Sequence, residues 1–213
     1  MVSSKILHKH SDDTLKQRIE SWITAFAYEC GLFEKSNVWE EFWHTYKEEP
    51  LLTMMATGIS RFDQDGSISI VREFPVYQNK KHIGRCDLFL NYNDNKEHYY
   101  IEAKYVKATW ETGFIEWAGK ENEKYLAEVR SQLYKYQEAD CNSNSLVFNC
   151  IVIFNLVGFK KKEDFDKYLI KANSQSYPNG YSYAYFHIDK PEESKYRKYY
   201  LLELAVIADS MIS

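Results

Sequence analysis

Along the N-terminal third of the chain, apolar positions recur with the roughly 3.6-residue period of a helix. Ser11-Asp12-Asp13 is a helix start, and Leu15, Ile19, Trp22, Ile23, Phe26 and Ala27 follow on one face. Gly31 is expected to end that helix. A second helix is read from about Val38 through Trp39, Phe42, Trp43 and Tyr46, stopping before Pro50; Leu51 to Ser60 fits neither period. From Ser67 the period becomes two. Ser67 to Tyr77, Gly84 to Tyr92 and His98 to Val106 read as three strands, separated by the polar turn 78–83 and the Asn/Asp-rich turn 91–96. Glu121 to Glu138 is a long helix with Tyr125, Leu126, Val129, Leu133 and Tyr136 on one side. Asn149 to Phe159 is almost wholly apolar, as expected of a strand covered on both faces. Lys160 to Ala172 reads as a helix, Tyr181 to Ile188 as a strand, and Tyr199 to Ala208 as a strand or a helix. This order predicts an α/β domain with a central mixed sheet (three-strand meander plus buried strand) flanked by helices. No repeat or linker divides the 213 residues, so residues 1–213 are read as a single domain, with a core over about 12–160 and an accessory C-terminal region over about 161–213.

Composition changes this picture little. Hydrophobic residues are 45% and charged residues 27%, which places the chain among globular proteins rather than disordered ones. The 18 Tyr, 12 Phe and 5 Trp suit either a groove that stacks bases or a large core whose tyrosine edges reach water. A net charge of -4 argues against a protein that coats nucleic acid non-specifically, because such binding rests on phosphate neutralisation. Cys30, Cys86, Cys141 and Cys150 are scattered without a CxxC, so neither a zinc site nor a disulfide framework is indicated. The start lacks an apolar leader and no apolar run is long enough for a membrane span, so a cytoplasmic protein is expected.

The chemistry concentrates between Glu73 and Lys107. Glu102 and Lys104 lie two apart on the third strand and so share a face, about 7 Å apart along the chain, while Ala103 points the other way with Ile101 and Tyr105. Two charges interrupting an apolar strand are costly unless compensated, and a divalent cation with a substrate phosphate would compensate them. Asp87 stands at a hairpin's distance on the second strand, where antiparallel pairing can set it beside Glu102. The charged groups of Asp87, Glu102 and Lys104 are therefore expected to converge within about 6–8 Å. Carboxylate oxygens suit Mg²⁺ better than zinc, which prefers His or Cys. Gln132 and Tyr136, four apart, share one face of the following helix.

These residues carry a family resemblance. Helix, three-strand meander, helix and strand, with Asp87 on the second strand and Glu102-Ala103-Lys104 on the third, resemble the PD-(D/E)XK nuclease superfamily and its restriction-endonuclease-like core over roughly residues 12–160. Gly84-Arg85 is similar to the superfamily's glycine-arginine lead-in, and Cys86 stands where the family name puts proline. Gln132 and Tyr136 resemble the QxxxY element of the exonuclease-like branch. The resemblance implies a metal-dependent nuclease: Asp87, Glu102 and the Ala103 carbonyl hold Mg²⁺ or Mn²⁺, and Lys104 orients or deprotonates the attacking water. It implies in-line attack leaving a 5′-phosphate end, and a nucleic-acid partner with DNA ahead of RNA and no membrane. A homodimer, or a partner protein in a defence or repair system, fits the same resemblance.

Weaker candidates have plain competitors. Glu73 on the first strand is either near the metal or paired with Arg72 or Arg85. The superfamily often supplies an acid from the first helix, and Glu20 or Glu29 could fill that place or simply be solvated. His44 and His82 read as surface histidines. Lys80-Lys81, Lys107 and Lys160-Lys161-Lys162 are phosphate contacts or solvated faces. The rival functions are a catalytically silent nuclease-fold module that binds nucleic acid or a protein, and an unrelated α/β scaffold with a tyrosine-rich interface.

Overall fold

A computed structural model of the chain describes residues 4–8, 12–35, 48–63, 66–92, 96–106, 123–140, 145–174, 181–189 and 199–210. Within these, β1 (Ser4–His8), α1 (Asp13–Lys35) and α2 (Glu49–Phe62) precede the hairpin strands β2 (Ile68–Gln78) and β3 (Lys81–Tyr92). Then come β4 (Glu97–Val106), α3 (Glu123–Asp140), β5 (Leu146–Phe159), α4 (Lys162–Ser174), β6 (Tyr181–Asp189) and β7 (Tyr199–Ser210). The strands form one mixed sheet in the order β1-β6-β7-β5-β4-β3-β2, antiparallel throughout except for the parallel β4–β5 pair. α3 lies between those two strands in sequence, as a parallel crossover requires.

The α/β class and the mixed sheet flanked by helices agree with the sequence pattern. Several details differ. The first helix runs through Gly31 to Lys35. Gly inside a helix costs about 1 kcal/mol, and burial of the same helix's Trp22, Phe26 and Cys30 offsets it. Asp12 caps this helix, its carboxylate accepting from the Leu15 amide at 2.9 Å. The helix expected from Val38 to Tyr46 lies outside the described residues. Pro50 sits in the first turn of α2, where its missing N–H costs nothing, and the ambiguous stretch Leu51 to Ser60 is helical. The polar turn after β2 shrinks to Asn79-Lys80, both with positive φ (52° and 64°), the conformation of a two-residue hairpin. The ambiguous segment from Tyr199 is a strand. The C-terminal region, read as an accessory, supplies β6 and β7 to the same sheet, with β7 between β5 and β6.

Two cores lie on opposite faces. Leu88, Leu90, Ile101, Ala103, Val152 and Phe154 pack with α1 and α2; Phe89, Tyr100, Ile151 and Ile153 pack with α3 and α4. α1 and α2 approach so closely that a Cβ on Gly58 would stand 2.5 Å from the Ala25 carbonyl oxygen. No helix among the described residues is long and apolar enough to cross a membrane.

One buried group in the second core has a measurable consequence. The Glu203 carboxylate accepts from Asn155 Nδ2 (2.6 Å), Tyr183 OH (2.6 Å) and Tyr168 OH (2.9 Å). Burial nevertheless raises its pKa to about 7. A raised carboxyl pKa stabilises the fold below the unfolded value, and that contribution is lost as pH climbs through about 7. Glu203→Gln is therefore expected to melt close to wild type at pH 5 and above it at pH 8.5. Equal melting temperatures at pH 8.5 would remove Glu203 as a titrating group.

Candidate active site

The register of the meander sets the acids in line. Arg72 pairs with Leu88 and Phe74 with Cys86, which places Glu73 opposite Asp87; the β3–β4 ladder ends at the Leu88–Ile101 pair, and Asp87 and Glu102 are the next residues beyond it on the two strands. The sheet is distorted along that line. Glu73 has φ 52°, a left-handed conformation that costs a non-glycine residue on the order of 1–3 kcal/mol. Cys86 and Leu88, two apart on one strand, pack in opposite cores, so the strand's alternation slips at Asp87. Cys86 Sγ lies 3.2 Å from both the amide and the carbonyl of Ile101 and 2.9 Å from the Leu88 carbonyl, wedged against the β3–β4 backbone. Beside it, the Asp87 carboxylate accepts the Ala103 amide at 2.8 Å, the side chain taking a donor that a continued ladder would have used.

The expected convergence is present and tighter than the strand spacing suggests. Lys104 Nζ lies 3.9 Å from Asp87 and 4.0 Å from Glu102, so Lys104 and Glu102 share a face. A third carboxylate joins them: Glu48 lies 3.6 Å from the same ammonium and accepts the Tyr105 amide at 3.1 Å. Glu48 is the N-cap residue of α2, yet its side chain makes no cap hydrogen bond and is spent on β4 instead.

Glu102 is only 4% exposed. Burial, then the charge of Asp87, raises its carboxyl pKa to about 8, with Lys104 opposing. Burial also raises Glu48. Ionising all three carboxyls against one lysine is thus disfavoured, and a hard divalent cation would favour it. Among the described residues no three His, Cys, Asp or Glu side chains form a ready metal cage. Mg²⁺ does not need one; it commonly takes one or two carboxylates and completes its shell with water and phosphate oxygens, so Asp87 and Glu102 fit it chemically. Ala103 is buried on the α1–α2 side, its amide tied to Asp87. Its carbonyl is the atom that the resemblance assigns to a metal.

Gln132 and Tyr136 reach the cluster from α3. Gln132 Nε2 donates to Glu102 Oε1 at 3.1 Å and also contacts the Tyr136 hydroxyl, which donates to the Arg85 carbonyl at 3.0 Å. Tyr136 is buried, and its hydroxyl bridges backbone and glutamine. Tyr136→Phe is therefore expected to cost about 1 kcal/mol of stability, the net worth of a typical hydrogen bond. Thermal melts of the two proteins check this, and an unchanged melting temperature would mean that the hydroxyl's bond to the Arg85 carbonyl contributes nothing to the fold.

The weaker candidates separate. Glu73 is paired with Arg85 at 3.1 Å rather than joined to Lys104's cluster. Glu20 is exposed on α1. Glu29 is buried but bound to Arg61 at 2.6 Å, an α1–α2 tie. Among the described residues, the carboxylate that a helix start brings to the cluster is that of Glu48. Its signal in the sequence was Pro50, which marks a helix start two residues on. His82 is exposed with its ring against Tyr77 (5.5 Å), as a surface histidine would be. Lys80, Lys81 and Lys160–Lys162 are exposed; His44 and Lys107 lie outside the described residues. Cys30, Cys86 and Cys150 are buried thiols. Compared with protein-family models, with curated proteins and with solved structures, the chain has no match.

Proposed function

We infer that the chain is a metal-dependent nuclease of the restriction-endonuclease-like kind, hydrolysing phosphodiester bonds with DNA ahead of RNA. The observation that carries this reading is the meeting of Asp87, Glu102 and Glu48 on one lysine, Lys104, where the sheet is distorted. Backbone strain and charge crowding both cost stability, and such costs persist where they serve function. Asp87 and Glu102 would hold Mg²⁺ or Mn²⁺. The cation, when bound, supplies positive charge for the scissile phosphate and makes an attacking water more acidic. Lys104 orients that water and stabilises charge developing on the phosphate oxygens. Gln132 holds the Glu102 carboxylate in register, and Glu48 fixes the Lys104 ammonium.

A second reading has one observation in its favour. The carboxylates already find a cation in Lys104, as a silent module that binds nucleic acid or protein on this fold would arrange. Incubating the chain with plasmid, linear duplex, single-stranded DNA and RNA, each with Mg²⁺, Mn²⁺ or EDTA, separates the two. Cleavage that EDTA stops supports the nuclease; retention of intact nucleic acid under every metal supports the silent module.

A further inference from the structure

We propose that Arg85 grips a backbone phosphate of the substrate, and that Glu73 is its resting counter-ion, exchanged for the phosphate when nucleic acid binds. This rests on the nuclease reading above and adds a substrate-binding residue to it. Lys104 stands 3.6–4.0 Å from three carboxylates, which offset much of the charge it presents to an incoming phosphate. Arg85 is differently placed. Its Nη1 lies 3.1 Å from Glu73 Oε2, but the two side chains are 61% and 54% exposed, and exposed pairs hold weakly in water. A phosphate offers the same guanidinium fork two oxygens and more charge.

Three features set the backbone that carries that fork. Arg85 is two residues from Asp87 on β3, and its counter-ion is carried by the residue opposite Asp87. The Arg85 carbonyl is pinned from below by the buried Tyr136 hydroxyl at 3.0 Å. That hydroxyl has room only because residue 84 is glycine: a Cβ there would stand 2.7 Å from it. The backbone that carries the exposed Arg85 side chain is thus tied to the helix that also holds Glu102. In an acidic site, such a cation offsets the repulsion that a phosphate backbone meets on approach.

The test is cleavage kinetics of labelled DNA at saturating Mg²⁺ over a range of salt, with wild type, Arg85→Ala, Arg85→Lys, Glu73→Gln and the Arg85→Ala/Glu73→Gln double variant. Arg85→Ala should raise KM about tenfold, act on KM rather than kcat, and lower the salt slope of log KM by about one. Lysine should restore part of the loss, since it keeps the charge without the fork. Glu73→Gln should do the opposite and lower KM about two- to fivefold, because the competing carboxylate is gone. The double variant should follow Arg85→Ala. A merely structural ion pair predicts that both single variants move KM in the same direction, or not at all, and either result overturns the proposal while leaving the nuclease reading intact. Wild type that cleaves nothing overturns both.

Discussion

Replacing Glu102 or Asp87 by alanine is expected to lower Mg²⁺-dependent cleavage by on the order of 10²–10³-fold or more, as losing a central electrostatic element of a hydrolytic site does. The two variants should part company in stability. Asp87 accepts the Ala103 amide, so Asp87→Ala leaves that donor without its partner and should cost about 1–3 kcal/mol. Glu102 brings a buried carboxyl whose pKa is raised to about 8 by burial and by Asp87. Its stabilising contribution is present below the unfolded carboxyl pKa and is lost as pH rises through about 8. Glu102→Gln keeps the side-chain shape and an acceptor for Gln132, so in metal-free buffer it should melt above wild type at pH 8.5 and close to it at pH 4.5. Thermal melts at the two pH values, beside cleavage assays on the same preparations, check both halves. Full activity in either alanine variant at saturating Mg²⁺ would remove that residue from the site.

Lys104→Met should have an effect of similar size on cleavage and, unlike Glu102→Gln, should lower stability. The methionine keeps the apolar stem and removes the ammonium that stands within 4.0 Å of Glu48, Asp87 and Glu102. Three carboxylates then face one another without a resident cation; Glu48 and Glu102 lose the charge that lowers their pKa values, and the fold is destabilised at neutral and alkaline pH. Cleavage should fall on the order of 10²-fold or more, since the charge serving water and phosphate is gone. The distinguishing sign is rescue. Mg²⁺ should raise the melting temperature of Lys104→Met by more than it raises that of wild type, because the cation replaces a lost charge instead of competing with it. Equal Mg²⁺ shifts in the two proteins would mean that Lys104 and the metal do not share these carboxylates.

Much of this architecture is legible in the pattern of residues, for identifiable reasons. The meander is visible because its polar and apolar positions alternate, and β5 because both of its faces are covered. The shared face of Glu102 and Lys104 follows from pleat alone, and so does the nearness of Asp87 once the hairpin is assumed. Glu48 is not legible that way: it reaches the site from an N-cap distant in sequence, and only the packing of α2 on the sheet brings it to Tyr105. Glu73 illustrates the converse. Alternation puts it on the right line, but a left-handed backbone and Arg85 take its carboxylate elsewhere. Of the C-terminal strands, β6 was legible as a strand and β7 only as a strand or a helix, and neither as a sheet member, because insertion of β7 between β5 and β6 is a long-range pairing that no local period encodes.

The central claim, that Asp87 and Glu102 hold a divalent cation, is tested most directly by calorimetric titration of Mg²⁺ into wild type and into an Asp87→Asn/Glu102→Gln double variant. Asparagine and glutamine keep the shapes and the hydrogen-bond acceptors for the Ala103 amide and Gln132 while removing the charge. Saturable binding is expected in wild type and its loss in the double variant, with both proteins folded. No saturable binding in wild type, or the same isotherm in the two proteins, would contradict that claim.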